Sequence, residues 1–104
     1  MIFMETSYYT SIIFEYLSDD EHAKLQAHLI ECPDDGDIIK GTGGIRKIRW
    51  SAKGKGKSGG VRIIYYWRTA RDHIYLLTIY GKNEASTLTA REKGLLKKLV
   101  EAWA

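Results

Sequence analysis

The chain has 104 residues, is 44% hydrophobic, and carries a net charge of +3 and a single cysteine, Cys32. This size and composition fit one folded domain over residues 1–104 and exclude a disordered chain, and the lone cysteine excludes an internal disulfide. No apolar run reaches transmembrane length and the N-terminus has no signal-peptide pattern, so we expect a soluble cytoplasmic protein without a membrane partner.

The first 37 residues predict one strand and two helices. Residues 1–8 are rich in apolar and aromatic side chains and predict an opening strand. Thr10 is suited to cap a short helix, which groups Ile13, Phe14 and Leu17 on one side. A second helix begins at the capping box of residues 18–21 and ends before Pro33, with a predicted core stripe of Leu25, Leu29 and Cys32. Residues 34–37 then predict a turn.

The remaining residues predict three strands and a final helix. The strands cover residues 45–50, 61–67 and 74–80, and the links at 53–60 and 69–72 are short enough for antiparallel hairpins. A helix from about Thr89 to Ala104 opens with a second capping box, and its predicted buried stripe consists of Leu95, Leu96, Leu99, Val100 and Trp103. The order β-α-α-β-β-β-α predicts an α+β fold, a mainly antiparallel sheet with the helices packed on one side.

Charge is distributed unevenly along the chain. Residues 1–37 carry a net charge of −8, whereas residues 38–104 carry +11. Ten of the sixteen Lys and Arg side chains lie within residues 40–71, which contain seven of the ten glycines and no Asp or Glu. Cations repeated along a Gly-rich backbone are suited to binding a polyphosphate chain, so this segment indicates a nucleic-acid partner.

The basic segment combines a loop with two strands. Its loop presents three lysines that alternate with glycines, Lys53, Lys55 and Lys57. In an extended loop these side chains project to the same side and can follow successive phosphates, although a solvated hairpin tip is equally compatible with the loop alone. Lys47 and Arg49 share one face of the preceding strand. Arg62 begins the next strand, where its forked donors are suited to binding a phosphate.

Metal or cofactor chemistry is not indicated by the other titratable residues. His22, His28 and His73 have no zinc-binding or catalytic spacing, and we expect each at the surface or at its boundary. The aspartates of residues 34–37 are not followed by the rest of a calcium-binding loop. We therefore expect no metal site and no cofactor.

Taken together, these motifs resemble the RelE/HigB superfamily of bacterial toxins, with the closest similarity to HigB-type toxins. The resemblance rests on Gly-Thr-Gly-Gly-Ile-Arg-Lys-Ile-Arg at 41–49, Gly-Lys-Gly-Lys at 54–57, Gly-Gly-Val-Arg-Ile-Ile-Tyr-Tyr at 59–66 and Leu-Leu-Thr-Ile-Tyr-Gly-Lys-Asn-Glu at 76–84. It covers nearly the whole chain and includes the order of elements. It implies a type II toxin that enters the ribosomal A site, contacts messenger and ribosomal RNA, and cuts the codon there. It also implies a cognate antitoxin with a helix-turn-helix.

The resemblance carries over to particular residues, with two departures. Lys47 and Arg49 match basic residues of the family's second strand, Arg62 matches the arginine that opens the third, and residues 81–84 match a Gly-Lys-x-Glu segment. However, Asn83 stands where RelE has an arginine, and no tyrosine follows Tyr80. The catalytic tyrosine near the C-terminus of RelE therefore has no counterpart in this chain.

For the endoribonuclease activity that the resemblance implies, we hypothesise a metal-independent reaction in which the RNA 2′-hydroxyl attacks the adjacent phosphorus. We assign phosphate stabilisation to Arg62, and proton transfer to one or more of Lys55, Lys57 and Lys82, without ranking these lysines. The predicted RNA-binding residues are Lys47, Arg49, Lys53, Arg46 and Asn83. Two alternatives remain open: a non-catalytic module that binds RNA or ribosomes and blocks translation, and a structural protein whose basic face binds an acidic protein.

Overall fold

The computed structural model describes residues 1–52, 60–82, 84 and 89–103. In these ranges the elements are β1 Ile2–Glu5, α1 Ser7–Tyr16, α2 Asp19–Glu31, β2 Asp37–Ile38, β3 Arg46–Trp50, β4 Val61–Arg68, β5 His73–Gly81 and α3 Ala90–Trp103. The predicted α+β class and element order are confirmed. The two-residue β2 is an addition, because the sequence predicted only a turn there. None of the described helices has the length and apolar content that a membrane crossing requires.

A single five-stranded sheet organises the chain, with strand order β1-β5-β4-β3-β2. Its neighbouring strands are antiparallel except for β1, which runs parallel to β5 at one edge. The register of β4 against β5 shifts between Ile64 and Tyr65, whose partners are Thr78 and Leu76. Leu77 is therefore the extra residue of a β-bulge, a feature that bends and twists a strand locally.

Both faces of the sheet are covered by helices, so the prediction that all helices pack on one side is wrong. Ile63 and Tyr65 of β4 belong to a buried cluster with residues of α1 and α2. The neighbouring Ile64 belongs to a second cluster on the opposite face, with Val100 of α3. Because Ile63 and Ile64 are both fully buried, the central strand is apolar on both sides and requires cover on both sides.

The N-cap of α1 lies four residues before the predicted cap. Thr6, not Thr10, is the N-cap: its side-chain oxygen accepts a hydrogen bond from the Tyr9 N–H at 3.0 Å and donates to the Leu77 carbonyl at 2.7 Å. The second bond ties the helix start to β5 and shortens β1 to four residues. Of the predicted stripe, Ile13 and Leu17 are buried as expected, whereas Phe14 is 58% exposed.

The capping box predicted for α2 is confirmed. The Ser18 hydroxyl accepts from the Glu21 N–H, and the Glu21 carboxylate accepts from the Ser18 N–H. Leu25 and Leu29 are fully buried, but the helix ends at Glu31, which leaves Cys32 exposed at the C-cap and outside the core. The third buried side chain on this face belongs to His22.

The predicted stripe of α3 is only partly buried. Its capping box between Thr89 and Glu92 is confirmed. Val100 is buried and Leu96 packs at the edge of the second cluster, whereas the remaining described leucines of the stripe, Leu95 and Leu99, are 54% and 44% exposed. The helix therefore contacts the sheet along a narrower face than the leucine spacing predicts.

One buried hydroxyl fixes the link between α2 and β3. Tyr65 donates to the Pro33 carbonyl at 2.8 Å and accepts from the Gly36 N–H at 2.9 Å. Gly36 permits this close approach, since an added Cβ would lie 2.8 Å from the Tyr65 oxygen. Arg46 reinforces the same link, because its guanidinium donates to the carbonyls of Asp34 and Gly36.

Tyr65 and Tyr9, both fully buried, provide a matched test of this link. Tyr65→Phe leaves the Gly36 N–H and the Pro33 carbonyl without their partner, so we expect a loss of about 1–3 kcal/mol in the free energy of unfolding. The Tyr9 hydroxyl is buried without a hydrogen-bond partner among the described residues. Tyr9→Phe should therefore be neutral or stabilising. Urea unfolding measures both, and equal losses in the two variants would contradict the assignment.

Burial of His22 predicts a pH dependence of stability. Burial lowers the pKa of His22 below its ordinary value of 6.5, and the nearby Glu5 and Asp19 oppose that shift. The unfolded chain therefore takes up a proton that the folded chain resists, and stability present above pH 6.5 is lost as the pH falls below it. His22→Gln should make the decline of the free energy of unfolding between pH 7 and pH 5 shallower. An unchanged decline would refute this.

Candidate nucleic-acid interface

Cationic side chains lie side by side on the sheet face that α3 partly covers. In the strand register Arg49 of β3 is paired with Arg62 of β4, which is paired with Tyr80 of β5. Paired residues point to the same face, so these three form one row across the sheet, here called the Arg49–Arg62–Tyr80 row. The predicted alternation of β3 and β4 is thereby confirmed.

The two arginines of the row are like charges directly opposite each other. Such a pair destabilises a sheet, because the repulsion is strongest between direct cross-strand neighbours. Arg49 is exposed and Arg62 is half-buried, and Arg62 donates to the Val61 carbonyl at 3.3 Å. A phosphate between two guanidinium groups would relieve the repulsion and accept hydrogen bonds from both.

Lys47 extends the cationic surface by one row. It lies two residues before Arg49 on β3, on the same face, and is paired with Ile64 on β4 and with Asp37 on β2. Two residues correspond to about 6.8 Å along a strand. The arrangement therefore offers charge in two directions, across the strands through Arg49 and Arg62 and along β3 through Lys47.

Tyr80 is a member of the row that sequence reasoning did not select as a site residue. Burial raises its pKa above the ordinary value of 10, the charge of Arg62 opposes this shift, and the Glu92 carboxylate of α3 adds to it. The phenol is therefore protonated at neutral pH and able to donate a hydrogen bond. The signal that could have found it is the strand pairing, which places Tyr80 opposite Arg62.

Lys82 follows β5 and is held close to the row by its backbone. Its N–H donates to the Gly60 carbonyl at 3.3 Å, so the pairing of β5 with β4 continues one residue past the strand. Lys82 itself is exposed. Lys82 lies in the turn after β5, two residues beyond Tyr80.

The Glu84 carboxylate accepts two hydrogen bonds, from residues of β5 and α1. One carboxylate oxygen accepts from the Gly81 N–H at 2.6 Å, and the other accepts from the Tyr16 hydroxyl of α1 at 2.8 Å. The hydrogen bond from Tyr16 is the main cause that lowers the pKa of Glu84, and the hydrogen bond from the Gly81 N–H adds to it. The Tyr16–Glu84 hydrogen bond also raises the pKa of Tyr16 to about 12. These residues also line a cleft of about 270 Å³ between α1 and the ends of β4 and β5.

Other predicted site residues lie elsewhere. Arg46 is on the α1 and α2 face of the sheet, where its guanidinium binds backbone carbonyls, so the structure does not bring it together with Arg49 and Arg62. Lys53, Lys55, Lys57 and Asn83 lie outside the described residues.

The histidines are not gathered at this surface. His22 is buried, which contradicts the expectation of a surface or boundary position, and its ring contacts those of Tyr9 and Phe14. His28 is half-buried and its ring nitrogen lies 2.7 Å from the Asp35 carboxylate. His73 begins β5. Among the described residues no group of three or more His, Cys, Asp and Glu side chains is placed to hold a metal ion.

Comparison with protein families agrees with this geometry. The family model for the RelE toxin of the RelE/RelB toxin–antitoxin system matches residues 17–104. The matched region contains α2, the strands β2 to β5 that carry the Arg49–Arg62–Tyr80 row, Lys82 and α3. The match spans far more than half of the sequence. The chain therefore belongs to the RelE toxin family and is the toxin of a toxin–antitoxin system, with an antitoxin as its partner.

Proposed function

We propose that the chain is a ribosome-dependent messenger RNA endonuclease that cuts the codon in the ribosomal A site. The observation that carries this proposal is the Arg49–Arg62–Tyr80 row, two arginines and a tyrosine at paired register positions on one sheet face in a member of the RelE family. A row of this kind is suited to phosphodiester cleavage, because the transition state of that reaction concentrates negative charge on one phosphate.

In the proposed reaction the 2′-hydroxyl oxygen attacks the neighbouring phosphorus. The bond between O2′ and phosphorus forms and the bond between phosphorus and O5′ breaks. A base takes the proton from O2′, and an acid delivers a proton to O5′. The products are a 2′,3′-cyclic phosphate and a 5′-hydroxyl end, and no oxidant or cofactor is consumed.

Arg62 is proposed to stabilise the charge on the scissile phosphate. It lies on the central strand, which is paired on both sides, so its backbone is held more rigidly than a loop would hold it. It is also half-buried, and a charge partly withdrawn from water acts more strongly on a neighbouring anion. Arg49 and Lys47 are proposed to bind the flanking phosphates.

Lys82 is proposed as a proton-transfer group, together with Lys55 or Lys57. Tyr80 is proposed to donate a hydrogen bond to the phosphate or to the leaving oxygen. The ribosome is proposed to align the message, because alignment alone can contribute several kcal/mol to lowering the barrier.

The proposed partners follow from this activity. Messenger RNA and ribosomal RNA would contact the cationic face, and the ribosome would place the protein in the cytoplasm. The antitoxin is proposed to be of the helix-turn-helix type, as in HigB-type systems. Attraction between oppositely charged surfaces would favour an acidic antitoxin segment at the same face.

Two alanine variants test the catalytic assignment. Arg62→Ala removes the phosphate-stabilising charge and Lys82→Ala removes a proton-transfer group, so each should lower the single-turnover cleavage rate on programmed ribosomes by about 100-fold or more. Both variants should remain folded by circular dichroism. Arg68→Ala is the matched control, since Arg68 lies on the same strand and face as Arg62 but opposite His73. Undiminished cleavage by either of the first two variants would remove its residue from the mechanism.

A variant of the loop between β3 and β4 tests the proposal that this loop binds the ribosome while the strands bind the scissile phosphate. Changing Lys53, Lys55 and Lys57 together to Ala removes three cations from the hairpin connection, so ribosome affinity should fall more than in Arg62→Ala. The dependence of affinity on salt should also become shallower, because fewer counterions are released. Filter binding at several salt concentrations measures both quantities. Equal affinities in the loop variant and Arg62→Ala would contradict the proposal that the loop contributes more than the strands to ribosome binding.

A further inference from the structure

Glu84 joins parts of the chain that are far apart in sequence. Its two carboxylate oxygens bind the Tyr16 hydroxyl, which is 68 positions away, and the Gly81 N–H at the end of β5. The Glu84 N–H also donates to the Gly81 carbonyl at 3.1 Å. The two oxygens of this one side chain thus connect α1 with the end of β5. We call this set of contacts the Tyr16–Glu84 latch.

Lys82 lies inside the loop that the latch closes. On its N-terminal side Gly81 is bound by the Glu84 carboxylate, and on its C-terminal side Glu84 is bound by Tyr16. Its own N–H is bound to the Gly60 carbonyl of the neighbouring chain segment. The backbone around Lys82 is therefore tied to α1, to β5 and to the start of β4 at once, and β4 carries Arg62 one residue after Val61.

The hydrogen bonds of the latch lie outside the core, although the ring of Tyr16 packs against the first buried cluster. The hydrogen bonds of Glu84 with Tyr16 and Gly81 are exposed, and neither Tyr16 nor Glu84 belongs to the buried residues. Exposed hydrogen bonds add little net stability, because water replaces the lost partner. Loss of the latch should therefore alter the placement of the segment after β5 while leaving the fold almost unaffected.

We propose that Tyr16 and Glu84 are positioning residues that hold the ammonium group of Lys82 in reach of the phosphate bound by Arg62. This inference rests on the proposed function, since it assigns a purpose to the latch in that reaction. Neither residue touches the substrate in this scheme. Tyr16 acts through Glu84, and Glu84 acts through the backbone of residues 81 and 82. Small displacements of a reacting group are sufficient to reduce a rate greatly.

The test uses Tyr16→Phe, with Tyr8→Phe as the matched control because Tyr8 is an exposed tyrosine on the same helix. Tyr16→Phe should lower the single-turnover cleavage rate by about tenfold, a loss typical of imperfect alignment. Ribosome affinity and the thermal midpoint should be unchanged. Amide hydrogen exchange at Gly81 and Lys82 should become faster in Tyr16→Phe and not in Tyr8→Phe.

A double variant shows whether the effect passes through Lys82. In a Lys82→Ala background, adding Tyr16→Phe should cause no further loss of rate, because the group that the latch positions is already gone. A further tenfold loss in that background would overturn the inference. An unchanged rate and unchanged exchange in Tyr16→Phe would also overturn it and would leave the proposed function standing. Full cleavage by Lys82→Ala would overturn the inference and leave the endonuclease activity standing, whereas absence of cleavage by the unmodified chain would refute the proposed function and the inference with it.

Discussion

The register of β4 between β3 and β5 is the constraint on which the rest of the structure depends. Ile63 and Ile64 are consecutive and fully buried, and they point into different cores. A slip of one residue would exchange the two faces of the strand and place Arg62 in the core below α1 and α2. Burying an unpaired charge costs several kcal/mol, so the register is strongly specified by the pattern of apolar and charged residues in β4.

The same register assembles the Arg49–Arg62–Tyr80 row from three neighbouring strands. It sets Arg49 opposite Arg62 and Arg62 opposite Tyr80, on the face that α3 covers only in part. Two cationic residues are thus placed at opposite register positions, and an RNA phosphate is the group proposed to bind both. The Tyr16–Glu84 latch adds a second constraint at the end of β5, where Lys82 leaves the sheet.

Sequence patterns predicted the features that depend on near neighbours, including both capping boxes and the alternation of β3 and β4. They failed where contacts with residues far away in the sequence determine the local structure. Thr6 caps α1 because the Leu77 carbonyl binds its hydroxyl. Arg46 lies on the face that the alternation predicts, but the hydrogen bonds of its guanidinium with carbonyls of the turn after α2 could not be predicted from the sequence. Cys32 fits the helical spacing but falls one residue beyond the helix. Glu84 was visible only as part of a motif, since its partner is 68 positions away.

The central claim is that the cationic face serves RNA cleavage by the message's own 2′-hydroxyl. The most direct test compares two messages on purified ribosomes, identical except for a 2′-deoxy nucleotide immediately 5′ of the scissile phosphate. The account predicts that the purified chain cuts the unmodified message to a 2′,3′-cyclic phosphate end and leaves the 2′-deoxy message intact. Equal cleavage of both messages would contradict the mechanism. Arrest of translation with both messages intact would show a toxin that binds the ribosome without cutting.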